Sequence, residues 1–201
     1  MKNSIAAVVL AAGQSTRMGS AKMLLPWGRT TVIGQVVRTI YLAGIKEIVV
    51  VTGGAHKRVE NSLKESPARM VFNPNFKQDH MAGSLSIGLA VLPPKIQSAM
   101  VALGDQPQIE THVIQRMTEV LQECTAPLVI PSFQMRRGHP WIINRTLWDE
   151  IMTLEYPDTL RDFLRKNRQL IHYVDIDNNS ILRDLDTPSD YHQERPPTSE
   201  H

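Results

Sequence analysis

Residues 4–28 read "SIAAVVLAAGQSTRMGSAKMLLPWG". The run through Leu10 is apolar without alternation, the pattern of a strand buried on both faces of a sheet. The bulk then disappears. Gly13 and Gly19 flank small hydroxyls at Ser15 and Thr16, and Arg17 and Lys22 bring positive charge. Glycines let a ligand approach the main chain, and successive backbone N–H groups form an anion-binding concavity. Arginine adds a planar fork of donors for phosphate oxygens, and lysine a compact charge. Neither the Walker spacing nor GxGxxG is present. By its local chemistry the loop is equally a triphosphate cradle or an ordinary turn with two incidental cations.

Outward from this loop, strand patterns alternate with helical ones. "TTVIGQVVRTIYLAG" (30–44) places Val32, Val36, Val37, Ile40 and Tyr41 at helical spacing, between a Thr cap and Gly44. Buried strands are expected at 46–53, 69–73, 98–107, 126–133 and 170–176, with a strand after the turn at 136–140. Helices are expected at 56–64, 82–92, 110–124, 145–153 and 158–167, and Pro93 and Pro94 stop the second of these. Such alternation predicts an α/β fold with a mostly parallel sheet covered on both faces. Ligands of such sheets bind at the carboxyl ends of the strands. The loops 11–23, 53–56 and 104–107 all leave such ends.

The chain has 201 residues with 22 Lys+Arg against 20 Asp+Glu, a net charge of +2 too balanced for a nucleic-acid coat. Cys124 has no partner, so no disulfide framework exists, and a reducing, cytoplasmic setting is expected. The first apolar run is too short to span a membrane. Without a linker or repeat, a single domain over 1–191 is expected, with "HQERPPTSEH" (192–201) as a disordered polar tail.

"LAAGQSTRMGSAKMLLPWG" (10–28) closely resembles the signature LAAGxSxRMGxxKxLLPxxG of the MobA-like NTP transferases. That resemblance implies a three-layer, Rossmann-like nucleotide-diphospho-sugar transferase fold. It implies that Leu10, Ala11, Ala12, Gly13 and Ser15 line the nucleotide, and that Arg17 and Lys22 hold its phosphates. Thr52 and Gly53, at the next strand end, are expected beside them.

Further stations follow in the family's order. "ALGDQP" (102–107) places Asp105 after a strand, where a hard oxygen can be aimed at a divalent ion; in the family this Asp binds the metal, Mg²⁺ or Mn²⁺. "NPNFKQDHMAGSLSIGL" (73–89) resembles the family segment near base and ribose, with Asn73, Met81, Ser84 and Gly88 in place and His80 where a glycine is usual. "RRGHP" (136–140) resembles the GxRGHP stretch that faces the second substrate, so Arg137, Gly138 and His139 are expected to bind the acceptor. By their chemistry alone Arg136 and Arg137 hold an anionic acceptor or are simply solvated. His139 is read equally as structural or as a phosphate ligand and proton carrier. "LRDLDTPSDY" (182–191) resembles the closing DxDTPxD. Read as a strand, it points Asp184 and Asp186 to opposite sides. Asp186 is then the favoured second metal ligand, and Asp190 is expected to serve the last helix.

The implied reaction is nucleotidyl transfer: an acceptor phosphate attacks the α-phosphorus of a nucleoside triphosphate and pyrophosphate leaves. Arg17, Lys22 and Asp105 are the expected catalytic residues. "LAAG", with Ala21 before Lys22, resembles the branch that moves CMP from CTP to molybdopterin rather than the guanylyl branch with "LAGG" and an acid before the lysine. Its product would go to a molybdenum hydroxylase or its chaperone. The alternatives are another triphosphate with another phosphorylated acceptor, or a non-catalytic cofactor carrier. No nucleic-acid or membrane partner is expected.

Overall fold

The computed structural model describes residues 4–13, 22–78, 81–155 and 157–197. The loop at 14–21, with the expected nucleotide-binding residues Ser15 and Arg17, lies outside the described residues, as does His80.

The chain opens with β1 (Ile5–Ala11), followed by a small hairpin of β2 (Pro26–Trp27) and β3 (Thr30–Thr31). Then come α1 (Val32–Leu42), β4 (Glu47–Thr52), α2 (His56–Ser62), β5 (Arg69–Phe72), α3 (Met81–Ala90), β6 (Ser98–Leu103) and α4 (Thr111–Glu123). The second half holds β7 (Leu128–Phe133), β8 (Arg136–Arg137), β9 (Trp141–Asn144), α5 (Trp148–Met152), α6 (Leu160–Lys166), β10 (Ile171–Asp175) and α7 (Pro188–Glu194). Helix α1 begins as its sequence predicts: the Thr31 hydroxyl accepts from Gly34 N at 3.2 Å. It ends before Gly44, whose φ of 103° suits a residue without Cβ.

One sheet runs β10-β7-β9-β6-β1-β4-β5, with β8 on β7. β1 is parallel to both β4 and β6, and β9 runs antiparallel between β6 and β7. Because β1 is central, both its faces are covered. Ala7, Val9 and Ala11 join one core with Ile33, Val37 and Ile40 of α1 and Met117 of α4. Ala6, Val8 and Leu10 join the other with Leu85 and Leu89 of α3 and Phe163 of α6. The unbroken apolar run of β1 is thus a period-two pattern filled on both sides. Among the described residues, no helix is long and apolar enough to cross a membrane.

Two expectations are corrected. Residues 183–187 form no strand: Leu185 N donates to Asp105 O and Asp186 N to Asp184 O, so the segment turns tightly instead of joining a ladder. Residues 192–194, expected in the polar tail, belong to a helix. Pro188 follows the N-cap Thr187, and Thr187 and Asp190 form a capping box that drives α7 through Glu194.

Candidate active site

The carboxyl ends of β4, β1 and β6 lie side by side, with Leu10 opposite Leu103 and Ala11 opposite Thr52. Gly104 N donates to Leu10 O at 3.0 Å and fixes the turn that carries Asp105. Because β9 is antiparallel, its start lies on this same edge, and the residues before it, Gly138 and His139, come with it. One edge therefore gathers Leu10, Ala11, Ala12, Gly13, Thr52, Gly53, Asp105, Gly138 and His139.

Small residues serve two purposes here. A Cβ on Gly53 would fall 2.4 Å from Ala12 O, so this glycine lets two strand-end loops touch. A Cβ on Gly13, which is exposed, would meet nothing within 4 Å among the described residues. Thr52 and Ser84 are buried with their hydroxyls engaged inside the protein. Thr52 Oγ1 donates to Val71 O at 3.2 Å and shares a 2.6 Å hydrogen bond with His56 Nδ1. Ser84 Oγ accepts from Asn73 Nδ2 at 3.0 Å.

Lys22 does not point to open solvent. Its Nζ lies 2.6 Å from Asp105 Oδ2 and 3.2 Å from Asp186 Oδ1, and donates to Leu185 O at 3.0 Å. Burial opposes its charge, but the attraction of Asp105, with the hydrogen bonds to Asp105 and Asp186, outweighs burial and holds the pKa above 10.5. The ammonium marks a cation position between hard oxygens, the donor type that Mg²⁺ and Mn²⁺ prefer. Among the described residues no three or more His, Cys, Asp or Glu side chains converge as a metal cage. Two carboxylates, with water and substrate phosphate completing the shell, are the usual magnesium arrangement.

Asp184 is also close. Burial first, then the charge of Asp105, raises its pKa, while a 2.7 Å hydrogen bond from Gln106 Nε2 to Asp184 Oδ1 works the other way. The turn at 184–186 thus keeps both acids beside Asp105. Asp190 accepts from Thr187 N at 2.7 Å and Asp186 N at 3.2 Å, anchoring this turn to α7.

Asp184 and Gln106 also line a cleft of about 790 Å³, floored by Leu103 and Trp141 and rimmed by Arg136, Arg137 and Arg161. A Cβ on Gly138 would fall 2.2 Å from Ile181 O, and His139 N donates to that same oxygen at 3.1 Å. Gly138 therefore seats the β8–β9 connection on the turn 179–182. The His139 ring stacks on Trp141 at 4.4 Å and 15°. Burial pushes its pKa down to about 4, so the ring is neutral at pH 7 and no anion clamp by charge. Its Nε2 has no hydrogen-bond partner among the described residues. Sequence reading missed Gln106 and Arg161. Gln106 sits in the quoted "GDQP", next to Asp105; Arg161 lies on a helix without motif and gives no sequence signal.

Comparison with known proteins fits this architecture. Residues 7–171 match the MobA-like NTP transferase domain. The molybdenum cofactor cytidylyltransferase of Escherichia coli (strain K12) is 25% identical over 194 residues, covering 94% of each chain. The nicotine blue oxidoreductase of Paenarthrobacter nicotinovorans is 29% identical over 191 residues, covering 91% of this chain and 92% of that one. The crystal structure of Rv0371c from Mycobacterium tuberculosis H37Rv superposes with a TM-score of 0.84 at 28% identity, over 96% of this chain and 98% of that one. Rv0371c has also been crystallised in complex with manganese, at a TM-score of 0.80 and 27% identity, over 95% and 97% of the two chains.

Proposed function

Because the chain belongs to the MobA-like NTP transferase family, a family of nucleotidyltransferases, we propose that it transfers CMP from CTP to the terminal phosphate of molybdopterin and releases pyrophosphate. The observation that carries this reading is the cation position between Asp105 and Asp186, adjoining an arginine-rimmed cleft at the strand edge. The likeness to a molybdenum cofactor cytidylyltransferase and the "LAAG…AK" sequence support cytosine and molybdopterin.

The residues divide the work. Leu10 to Gly13 form the nucleoside wall, and the exposed Gly13, with no Cβ, lets the nucleotide approach the backbone. Arg17 and Lys22 take the phosphates, and their charge stabilises the departing pyrophosphate. The cleft receives the acceptor, with Arg136, Arg137 and Arg161 drawing in its anionic group and Trp141 and Leu103 supporting its body. An acceptor phosphate is already nucleophilic, so positioning replaces a general base. Neutral His139 fits that scheme as part of the cleft wall. Asp105 and Asp186 would hold a Mg²⁺ or Mn²⁺ ion, which when bound neutralises phosphate charge.

The test is turnover with molybdopterin and each of four triphosphates, read as pyrophosphate release with the nucleotide product identified by mass. CTP is expected to exceed the others by about tenfold or more, the value of one well-read polar contact or better. Equal use of GTP or ATP would overturn the base assignment, and no pyrophosphate with any triphosphate would overturn transfer itself. Product identification matters because a relative of similar identity is named as an oxidoreductase. Asp105→Asn should lower kcat by roughly 10²-fold or more, as loss of a charge-stabilising group does, with an unchanged circular dichroism spectrum.

A further inference from the structure

The ammonium of Lys22 sits where a divalent ion would have to go. It is held by carboxylate oxygens of Asp105 and Asp186 and by the carbonyl of Leu185, all within 3.2 Å. Its side chain is 11% exposed, so the cation is well inside the site. A divalent ion cannot take the same position between Asp105 Oδ2 and Asp186 Oδ1 while the ammonium holds it, because the two cations repel at contact distance. From this geometry we infer that Lys22 is an exchangeable internal counter-ion: divalent metal must displace its ammonium from Asp105 and Asp186, and the displaced ammonium becomes available to the triphosphate. The inference rests on the reading of Asp105 and Asp186 as metal-holding residues.

Two consequences are particular to the exchange. Metal alone binds weakly, because it must break two ion pairs and a hydrogen bond to a backbone carbonyl. Triphosphate offers the released lysine a new anionic partner, so metal and triphosphate favour each other, and the coupling is reciprocal. Without ligands the carboxylates are neutralised in place, so the turn 184–186 stays ordered beside Asp105. A lysine that served only the phosphates would leave metal affinity untouched when removed.

The test is a titration of Mn²⁺ alone, followed by electron paramagnetic resonance, on the full chain and on Lys22→Met. Lys22→Met should bind Mn²⁺ about tenfold more tightly than the wild type, within the usual range of coupling between sites. Adding Asp105→Asn to Lys22→Met should remove that gain. Equal Mn²⁺ affinity in wild type and Lys22→Met would overturn the exchange while leaving the metal site intact. Absence of Mn²⁺ binding in both, with or without CTP, would overturn the metal reading itself and the exchange with it. A measurement on the wild type keeps the test open should Lys22→Met fail to fold. The ¹⁵N resonance of the Lys22 ammonium should move toward that of a free lysine as Mg²⁺ alone is added. A resonance that stays in place while Mg²⁺ saturates the protein would overturn the exchange.

Discussion

The imidazole of His139 lies flat against Trp141, and burial pushes its pKa from 6.5 down to about 4. In the unfolded chain the same ring titrates near 6.5. Between these values the unfolded chain binds more protons than the folded one. Stability therefore falls as pH drops through the window from 6.5 to 4, and this group contributes no slope above it. The full shift corresponds to about 3 kcal/mol, and the ring's partial solvent contact reduces that to about 2 kcal/mol by pH 4.5. Carboxylates titrate in the same range, so the informative quantity is a difference between proteins. His139→Gln should lose less stability than the wild type between pH 7 and 4.5, by about that amount. Urea midpoints at both pH values measure it, and parallel losses in the two proteins would show that His139 is not the acid-sensitive group. The sequence left this histidine evenly between a structural and a chemical role. Its stacking partner is two residues away, but its backbone N–H is held by Ile181 O in the distant turn at 179–182.

Strand ends decide where a ligand can approach. At Gly53 an added methyl would meet Ala12 O at 2.4 Å, a backbone atom that cannot swing aside. At Gly13 it would meet no atom within 4 Å among the described residues. Gly53→Ala should therefore destabilise the fold by about 1–3 kcal/mol, the usual cost of overpacking, by forcing the ends of β1 and β4 apart. Gly13→Ala should change stability by no more than about 0.5 kcal/mol but raise KM for the triphosphate. Urea melts beside substrate titrations distinguish them, and a Gly13→Ala variant as unstable as Gly53→Ala would refute this contrast. Both glycines look alike in sequence. The elements themselves were legible, because β1, β4 and β6 are unbroken apolar runs and α1 and α4 carry clean helical periodicity. The segment 183–187 was not, since alternation implies a strand only where a neighbour offers a ladder. Here the backbone partners are Asp105 O and Asp184 O, and the result is a turn that brings both acids to one place.

The site closes through the end of the chain. The family match runs over residues 7–171, yet Leu185 O and Asp186 hold Lys22, and Leu185 N donates to Asp105 O. These partners stand more than 160 positions from Lys22, beyond the reach of periodicity or local spacing. Only the resemblance of "DLDTPSD" to the family's closing motif pointed to them. A separate small core fixes this return: Trp27 and Val32 pack with Leu185 and Tyr191, and Tyr191 Oη donates to Pro26 O at 2.6 Å. The two main cores contain neither Leu185 nor Tyr191, and the last strand of the sheet ends at Asp175. A chain ended after Arg183 should therefore keep the sheet and most of its far-ultraviolet circular dichroism. Losing two buried side chains removes roughly 4 kcal/mol, which for a chain of this size lowers Tm by roughly 10 °C. The shortened chain should also lose turnover and the rise in Tm expected for the full chain with CTP and Mn²⁺ under the proposed function, because Asp186 and the carbonyl beside it are gone. Retained turnover would show that Asp105 serves without the returning segment. Complete unfolding would show that the small core holds the sheet together, not only the site.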